Sequence, residues 1–485
     1  MITLIVTARL LTPTDFGIAA YFLVATAFLE MIQRQIAIVL IRVDEVTPEH
    51  LRTVLTFQII VGAVAAAFFF STRQFLVLLG LPELSELAFV LCLLSFVIAF
   101  KSPRFVLFER DLNFIYAAGE ETVSRVVYSV IAVSLAWIWR DYWAIIAASF
   151  GAMLTRSIWT FGLAPMTIRP SLTRWHDCLS FSIWSTGAQI AQFFSKNMPQ
   201  LIIGATLGYS EAGIFRLGNR LSTLVTTQLF APLQRVFYPG LAEISRNTDR
   251  KDEAFTRLNE FLLAIVLPIS IGMALVANHI VIVVIGWKWL AAVQVIWILA
   301  PLKALETLQE NVRSAAYVEG STRVLFVRNV FLLAFVCLSM SVGVQFGFSG
   351  ALVAAAISSV AAILTTLAVA KRFGTQSFLG PLTVGWRSFV STLTMIAAVL
   401  LVGGAMGNPD HIGWAFDTSD DLPLLRYRFA TKVLVGATVY VGTHYLLWNM
   451  VKRPAGVESL FLGLVKNAFG RPKGTKTGAR GTFES

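Results

Sequence analysis

The chain alternates long apolar runs with short polar breaks. Runs of about 20 residues lie near 16–40, 53–79, 84–101, 114–136, 141–163, 180–206, 211–234, 258–285, 289–314, 323–346, 349–370, 386–406 and 428–450. At 1.5 Å rise per residue, each can cross a hydrocarbon layer of about 30 Å as a helix. None shows the two-residue alternation of a barrel strand, and lipid allows only helices or closed barrels. The pattern therefore predicts about thirteen full spans. The stretch Met1–Ala8 is apolar but only about 12 Å long as a helix. It lacks a basic leader and a cleavage site, and is read as the second half of a first helix. The expected fold is an all-α polytopic membrane protein of about fourteen helices, the first truncated.

One hairpin occurs twice. Arg9–Ile18 (RLLTPTDFGI) aligns without gaps to Ala205–Ile214 (ATLGYSEAGI), with Leu, an acid, Gly and Ile at matching offsets. A repeat spaced by nearly half the chain suggests two homologous halves, as in many secondary transporters. The expected division is a first helix bundle at 1–175, a second at 176–372, a further helix pair at 373–451 and a basic cytoplasmic tail at 452–485. Two pseudo-symmetric bundles of six helices would then flank a central cavity.

Alternate loops differ in charge. One set holds Arg42 and Arg52; Lys101, Arg104 and Arg110; Arg169 and Arg174; Arg235, Arg246, Arg250, Lys251 and Arg257; Arg323; Lys371 and Arg372. The other set is short and poor in bases, and 407–423 carries Asp410, Asp417, Asp420 and Asp421 with no Lys or Arg. The positive-inside bias puts the first set and the C-terminus in the cytoplasm.

Composition agrees with this picture. Of 485 residues 56% are hydrophobic and only 14% charged, against about 25% charged in soluble domains. Mean hydropathy is +0.72. The net charge of +11 follows from the loop bias and from attraction to anionic lipid, without nucleic acid. The scattered Cys92, Cys178 and Cys337 form no disulfide framework, and the histidines show no metal-ligand spacing. No Walker loop, dinucleotide fingerprint, zincin motif or nucleophile elbow occurs, so no cofactor and no enzyme are expected. Work would draw on an H+ or Na+ gradient or on the substrate's own gradient.

The informative residues are charges at membrane depth, which are expensive and usually face a cavity or a partner. Glu30 and Arg34 lie four apart, as do Glu121 and Arg125. Lys303, Glu306, Glu310 and Arg313 share one helical stripe. A structural ion pair is the plain reading of each opposite-sign pair. Arg216 and Arg220 differ: they share a face, have like sign and have no acid at helical spacing. Snorkelling competes for Arg216, five residues from the turn, and less for Arg220. Lys196 stands beside Asn197 and near Gln200. A cationic cavity suits an anionic lipid head, because Arg binds phosphate bidentately and Lys adds a point charge.

The segments ARLLTPTDFGIAA and QIAIVLIR, and LIIGATLGYSEAGIFRLGNRL followed by PLQRVFYPGLAEIS, resemble the bacterial polysaccharide-export flippases. That family belongs to the multidrug/oligosaccharidyl-lipid/polysaccharide exporter superfamily. The resemblance implies two six-helix bundles plus two helices, arranged as a V around a cationic cavity in the bacterial inner membrane. It also implies flipping of an undecaprenyl-diphosphate-linked oligosaccharide to the periplasmic leaflet. The expected site is Arg220, Arg216 and Lys196 with Arg34, Glu30, Lys303, Glu306 and Glu310. The expected partners are that polyprenyl diphosphate and the membrane lipids. A drug or cation antiporter of the same superfamily is a rival, and the excess of deep cations argues against it. A membrane polysaccharide polymerase or glycosyltransferase is another, with Asp420–Asp421 its sole catalytic candidate.

Overall fold

Thr12 sets the start of the first long helix. It accepts the Asp15 amide at 3.2 Å and donates its own amide to Asp15 Oδ2 at 2.8 Å, while Pro13 fixes φ in the first turn. The computed structural model describes residues 2–78, 82–176, 183–224, 226, 251–309, 322–371, 383, 385–406 and 422–451. Described helices are α1 (Ile2–Leu10), α2 (Pro13–Arg42), α3 (Pro48–Leu78), α4 (Pro82–Ala99), α5 (Val106–Arg110), α6 (Phe114–Trp139), α7 (Trp143–Leu163) and α8 (Ile183–Thr206). They continue as α9 (209–224), α10 (Lys251–Leu275), α11 (Ala277–Ile280), α12 (Ala292–Glu306), α13 (Thr322–Gly343), α14 (Gly347–Ala370), α15 (Trp386–Ala405) and α16 (Leu422–Met450). Among the described residues there is no strand.

Within the described residues the apolar runs are helical. Six described helices are long and apolar enough to cross a membrane, or up to eight when each of two bent pairs counts as one span. The run at 258–285 is one of those pairs. It bends by 71° between 259–275 and 277–285, and its second part widens into a π-helical turn at Val281–Ile285. Apolar side chains such as Phe68, Trp137, Leu338 and Leu401 point outward, as a lipid-facing surface requires.

Two groups of helices stand out. In the first half α2, α3 and α4 pack together, α6 lies on α7, and α7 reaches α2 and α4. Ile18, Phe22, Leu91, Leu94 and Ile146 form its core. In the second half α8 lies on α13, α13 on α14, and α12 bridges α10 and α14. Its core holds Ile203, Phe215, Val295, Met340 and Leu352. Helices α15 and α16 pack on one another and reach this group through α10. A third core joins the halves: Leu11, Phe16 and Ala136 of the first meet Leu217, Leu221, Val281 and Trp289 of the second.

Two contact sets make that seam. At one, α2 runs along α8: Tyr21 Oη donates to the Leu201 carbonyl at 3.2 Å, Phe28 stacks at 5.4 and 5.1 Å on Phe193 and Phe194, and Gln35 donates to Gln189 at 2.7 Å. At the other, helix ends exchange cations. Arg9 donates to the carbonyls of Val283 and Val284 at 2.7 and 2.8 Å. Lys288 donates to those of Arg9 and Leu11, and Trp289 Nε1 to that of Ala8 at 2.7 Å. These last carbonyls have no partner within a helix that ends at Leu10. Burial pulls the Lys288 ammonium below the usual lysine range, and the Asp15 carboxylate acts against this.

The repeated hairpin turns lie in the same seam. Gly208 opens the second copy at φ +111, where a side chain would be strained. It stands where the first copy has Thr12, and each copy keeps its acid three residues on, Asp15 and Glu211.

Candidate functional site

Helix α9 carries Arg216 and Arg220 one turn apart, each followed by a leucine, Leu217 and Leu221, buried in the joint core. The 3.6-residue period puts the two guanidinium groups on a shared face. Tyr128 of α6, from the other half of the chain, lies close enough to act on both arginines. Arg216 is half-buried and Arg220 is exposed. Among the described residues neither arginine has an ion-pair partner. The arrangement is thus a like-charged pair at the seam of the two halves, faced by a phenol. It can take an anion, and a diphosphate has the oxygens to engage both forks.

Lys196 is exposed on α8, one turn before Pro199. Nearby Gln200 is buried, and its Nε2 has no hydrogen-bond partner among the described residues. Asn197 donates to the Phe193 carbonyl at 2.8 Å, so its amide serves the helix itself.

The other candidates are paired, and one pairing differs from the spacing rule. Glu30 does not pair with Arg34. Its Oε1 takes Arg156 Nη1 of α7 at 2.6 Å, and Arg156 also reaches Glu121 at 3.4 Å and Ser124 at 3.2 Å. Arg34, 69% exposed, meets Glu109 of α5 at 3.7 Å. Glu121 and Arg125 do pair along their helix at 2.7 Å. Lys303 holds Glu306 at 2.8 Å and stands 3.5 Å from Ser359 of α14. Glu310 lies outside the described residues. Arg156 was not singled out from sequence. Its signal is a lone cation inside the apolar run of α7, the same criterion that selected Arg220. Among the described residues no cluster of His, Cys, Asp and Glu is placed to hold a metal ion.

Comparisons with known proteins follow this geometry. A family profile described as "Polysaccharide biosynthesis protein" matches residues 6–294. The succinoglycan biosynthesis transport protein ExoT of Rhizobium meliloti (strain 1021) is 26% identical over 312 residues, 63% of this chain and 63% of that one. The lipopolysaccharide biosynthesis protein WzxC of Escherichia coli (strain K12) is 24% identical over 340 residues, 68% of each chain. The matched part thus spans about two thirds of these relatives. Among solved structures, the lipid II flippase MurJ in an inward closed conformation superposes with a TM-score of 0.67 at 12% identity, covering 93% of this chain and 97% of that one. An inward-facing multidrug resistance MATE transporter gives 0.60 at 15% identity, covering 76% and 93%. At such identities the likeness is one of fold.

Proposed function

The chain belongs to the polysaccharide biosynthesis protein family, and from that premise we propose that it flips a polyprenyl-diphosphate-linked oligosaccharide across the bacterial inner membrane. The repeat unit would pass from the cytoplasmic to the periplasmic leaflet and feed exopolysaccharide, O-antigen or capsule synthesis. The names of ExoT, a transport protein, and WzxC, a lipopolysaccharide biosynthesis protein, support this reading, as does the fold shared with a lipid II flippase. The chain acts as a transporter in this account and not as an enzyme.

The observation that carries the proposal is the pair Arg216–Arg220 beside the joint core, which has no ion-pair partner among the described residues. An unpaired cation at depth costs roughly 2.5–3.5 kcal/mol on insertion scales. A bound diphosphate supplies the missing counter-charge while its polyprenyl tail stays in lipid. Lys196 adds a third positive group from α8. Arg34, Glu30, Lys303, Glu306 and Glu310 complete the proposed surface, with carboxylates accepting sugar hydroxyls and cations backing the phosphates. Residues 1–175 and 176–372 form the two moving bundles, 373–451 an accessory pair, and 452–485 a cytoplasmic tail. The anion draws the bundles together and so biases inward- against outward-open states. An H+ or Na+ gradient resets the cycle.

The test is export of polymer by cells carrying variants at wild-type protein level. Arg220→Ala abolishes export, and Arg220→Lys keeps part of it because charge survives but the bidentate fork does not. Full export by the Arg216→Ala, Arg220→Ala double variant removes the site.

A further inference from the structure

Helix α16 carries two cations one turn apart, Arg428 and Lys432, near the start of its apolar run. Arg428 donates to the Met406 carbonyl of the neighbouring chain segment at 3.2 Å. Lys432 turns inward and is only 6% exposed. Among the described residues no hydrogen bond or ion pair reaches it. The charged side chain acting on it is Arg428, another cation. Against this face of α16 packs α11, the short helix after the 71° break. It presents His279, 3% exposed, and neither ring nitrogen has a hydrogen-bond partner among the described residues. The charges acting on His279 are Lys432 and Arg428.

Three basic side chains thus come together from two elements, two of them buried and, among the described residues, without a partner. Burying a polar group unpaired costs roughly 1–3 kcal/mol on protein scales, and more for a charge. Among the described residues nothing returns that cost. The break in the helix before α11 is what lets His279 reach α16. Interrupted membrane helices commonly occur where a ligand or an ion is bound.

We infer that His279, Lys432 and Arg428 form a site for the phosphate group of a lipid in the leaflet where α16 begins. Lys432 supplies the point charge, His279 a ring N–H in either tautomer, and Arg428 flanks them. The depth fits: the apolar run of α16 begins near Arg428, and Lys432 lies about 6 Å further in, one turn down the helix. The surroundings favour a lipid over a free anion. On the face of α16 turned away from Lys432 the helix exposes Tyr427, Val433, Leu434 and Val441, so the helix is lipid-facing there and an acyl chain can lie against it while the phosphate enters between α16 and α11. The competing occupant is a carboxylate of the acidic segment 407–421, which directly precedes α16.

The site is read by binding alone, so its failure leaves the proposal for Arg216 and Arg220 untouched. Purified protein in a neutral detergent is titrated with phosphatidylglycerol, with diacylglycerol and with inorganic phosphate, and adducts are counted by native mass spectrometry. The wild-type protein retains phosphatidylglycerol in preference to diacylglycerol. Lys432→Gln and His279→Gln each weaken that retention about tenfold or more, as expected for hydrogen bonds to a charged group. Lys432→Arg keeps most of it. Thermal unfolding of each variant verifies the fold, and His279→Gln carries the test if Lys432→Gln does not fold. Equal retention of diacylglycerol, full competition by inorganic phosphate at the lipid's own concentration, or unchanged binding in both Gln variants would each overturn the assignment. The last result is the one expected if an acid of 407–421 occupies the site.

Discussion

Gly17 and Gly213 hold the same place in two copies of one hairpin, and each presses on the backbone of the other copy. A Cβ on Gly17 would stand 1.7 Å from the Tyr209 carbonyl oxygen, and one on Gly213 would stand 1.9 Å from the Pro13 carbonyl oxygen. Pro13 and Tyr209 are themselves matching positions of the repeat. A contact that maps onto itself in this way is what a two-fold axis between the helices produces. Replacing either glycine with alanine forces α2 and α9 apart, because a carbonyl cannot swing aside as a side-chain tip can. Gly17→Ala and Gly213→Ala should each destabilise the protein by about 1–3 kcal/mol. The double variant should cost less than their sum, since the first separation makes room for the second. Unfolding midpoints in detergent check both statements.

Arg156, and not Arg34, is the partner of Glu30. Arg156→Ala leaves a half-buried carboxylate without its cation and should cost about 2 kcal/mol, between the ranges for exposed and buried pairs. Arg34→Ala should change stability by less than about 0.5 kcal/mol. In a double-mutant cycle, Glu30→Gln should couple to Arg156→Ala and not to Arg34→Ala. Coupling to Arg34 would return the pair to the helical spacing seen in sequence.

Gln35 and Gln189 close the seam between α2 and α8 at the ends of those helices away from Tyr21. Alternating access by two bundles requires one end of the seam to part. Cysteines at both positions, joined by a short thiol-reactive crosslinker, should block polymer export while either single cysteine exports normally. Export by the crosslinked protein would mean that α2 and α8 move as one body.

Topology follows from the loop charges. A cysteine at position 419 should react with an impermeant thiol reagent in intact cells whose outer membrane is permeable. One placed at position 475 should react only after lysis. The opposite pattern inverts the molecule. Both positions lie outside the described residues, so the prediction rests on sequence.

The spans were legible because an apolar run of about 20 residues has few other uses. The helix start at Thr12 lies ahead of the apolar run at 16–40, because Thr-Pro-Thr-Asp supplies both halves of a capping box and extends the helix by a turn. The break at Val276 was not legible. It needs no proline; Pro268 sits within α10 without interrupting it, and the chain is apolar on both sides of the bend. At the site, spacing shows what one helix offers to itself. It could pair Glu121 with Arg125, which tertiary structure leaves together, but not Glu30 with Arg156, whose separation of 126 positions carries no local signature. Arg216 and Arg220 stand out in the sequence for the opposite reason: what marks them is a counter-charge missing from their own helix.

The exchange of cations between Arg9 and Lys288 has a consequence for biosynthesis. The carbonyls of Ala8, Arg9 and Leu11 are satisfied by groups of residues 288 and 289, which lie 277 to 281 positions further along the chain. That whole stretch must be translated after α1 before those donors leave the ribosome. Until then the end of α1 must borrow water or lipid headgroups. The first half of the protein is therefore inserted early but finished late, and a ribosome stalled before residue 288 leaves a nascent chain with an open helix end for quality control to recognise.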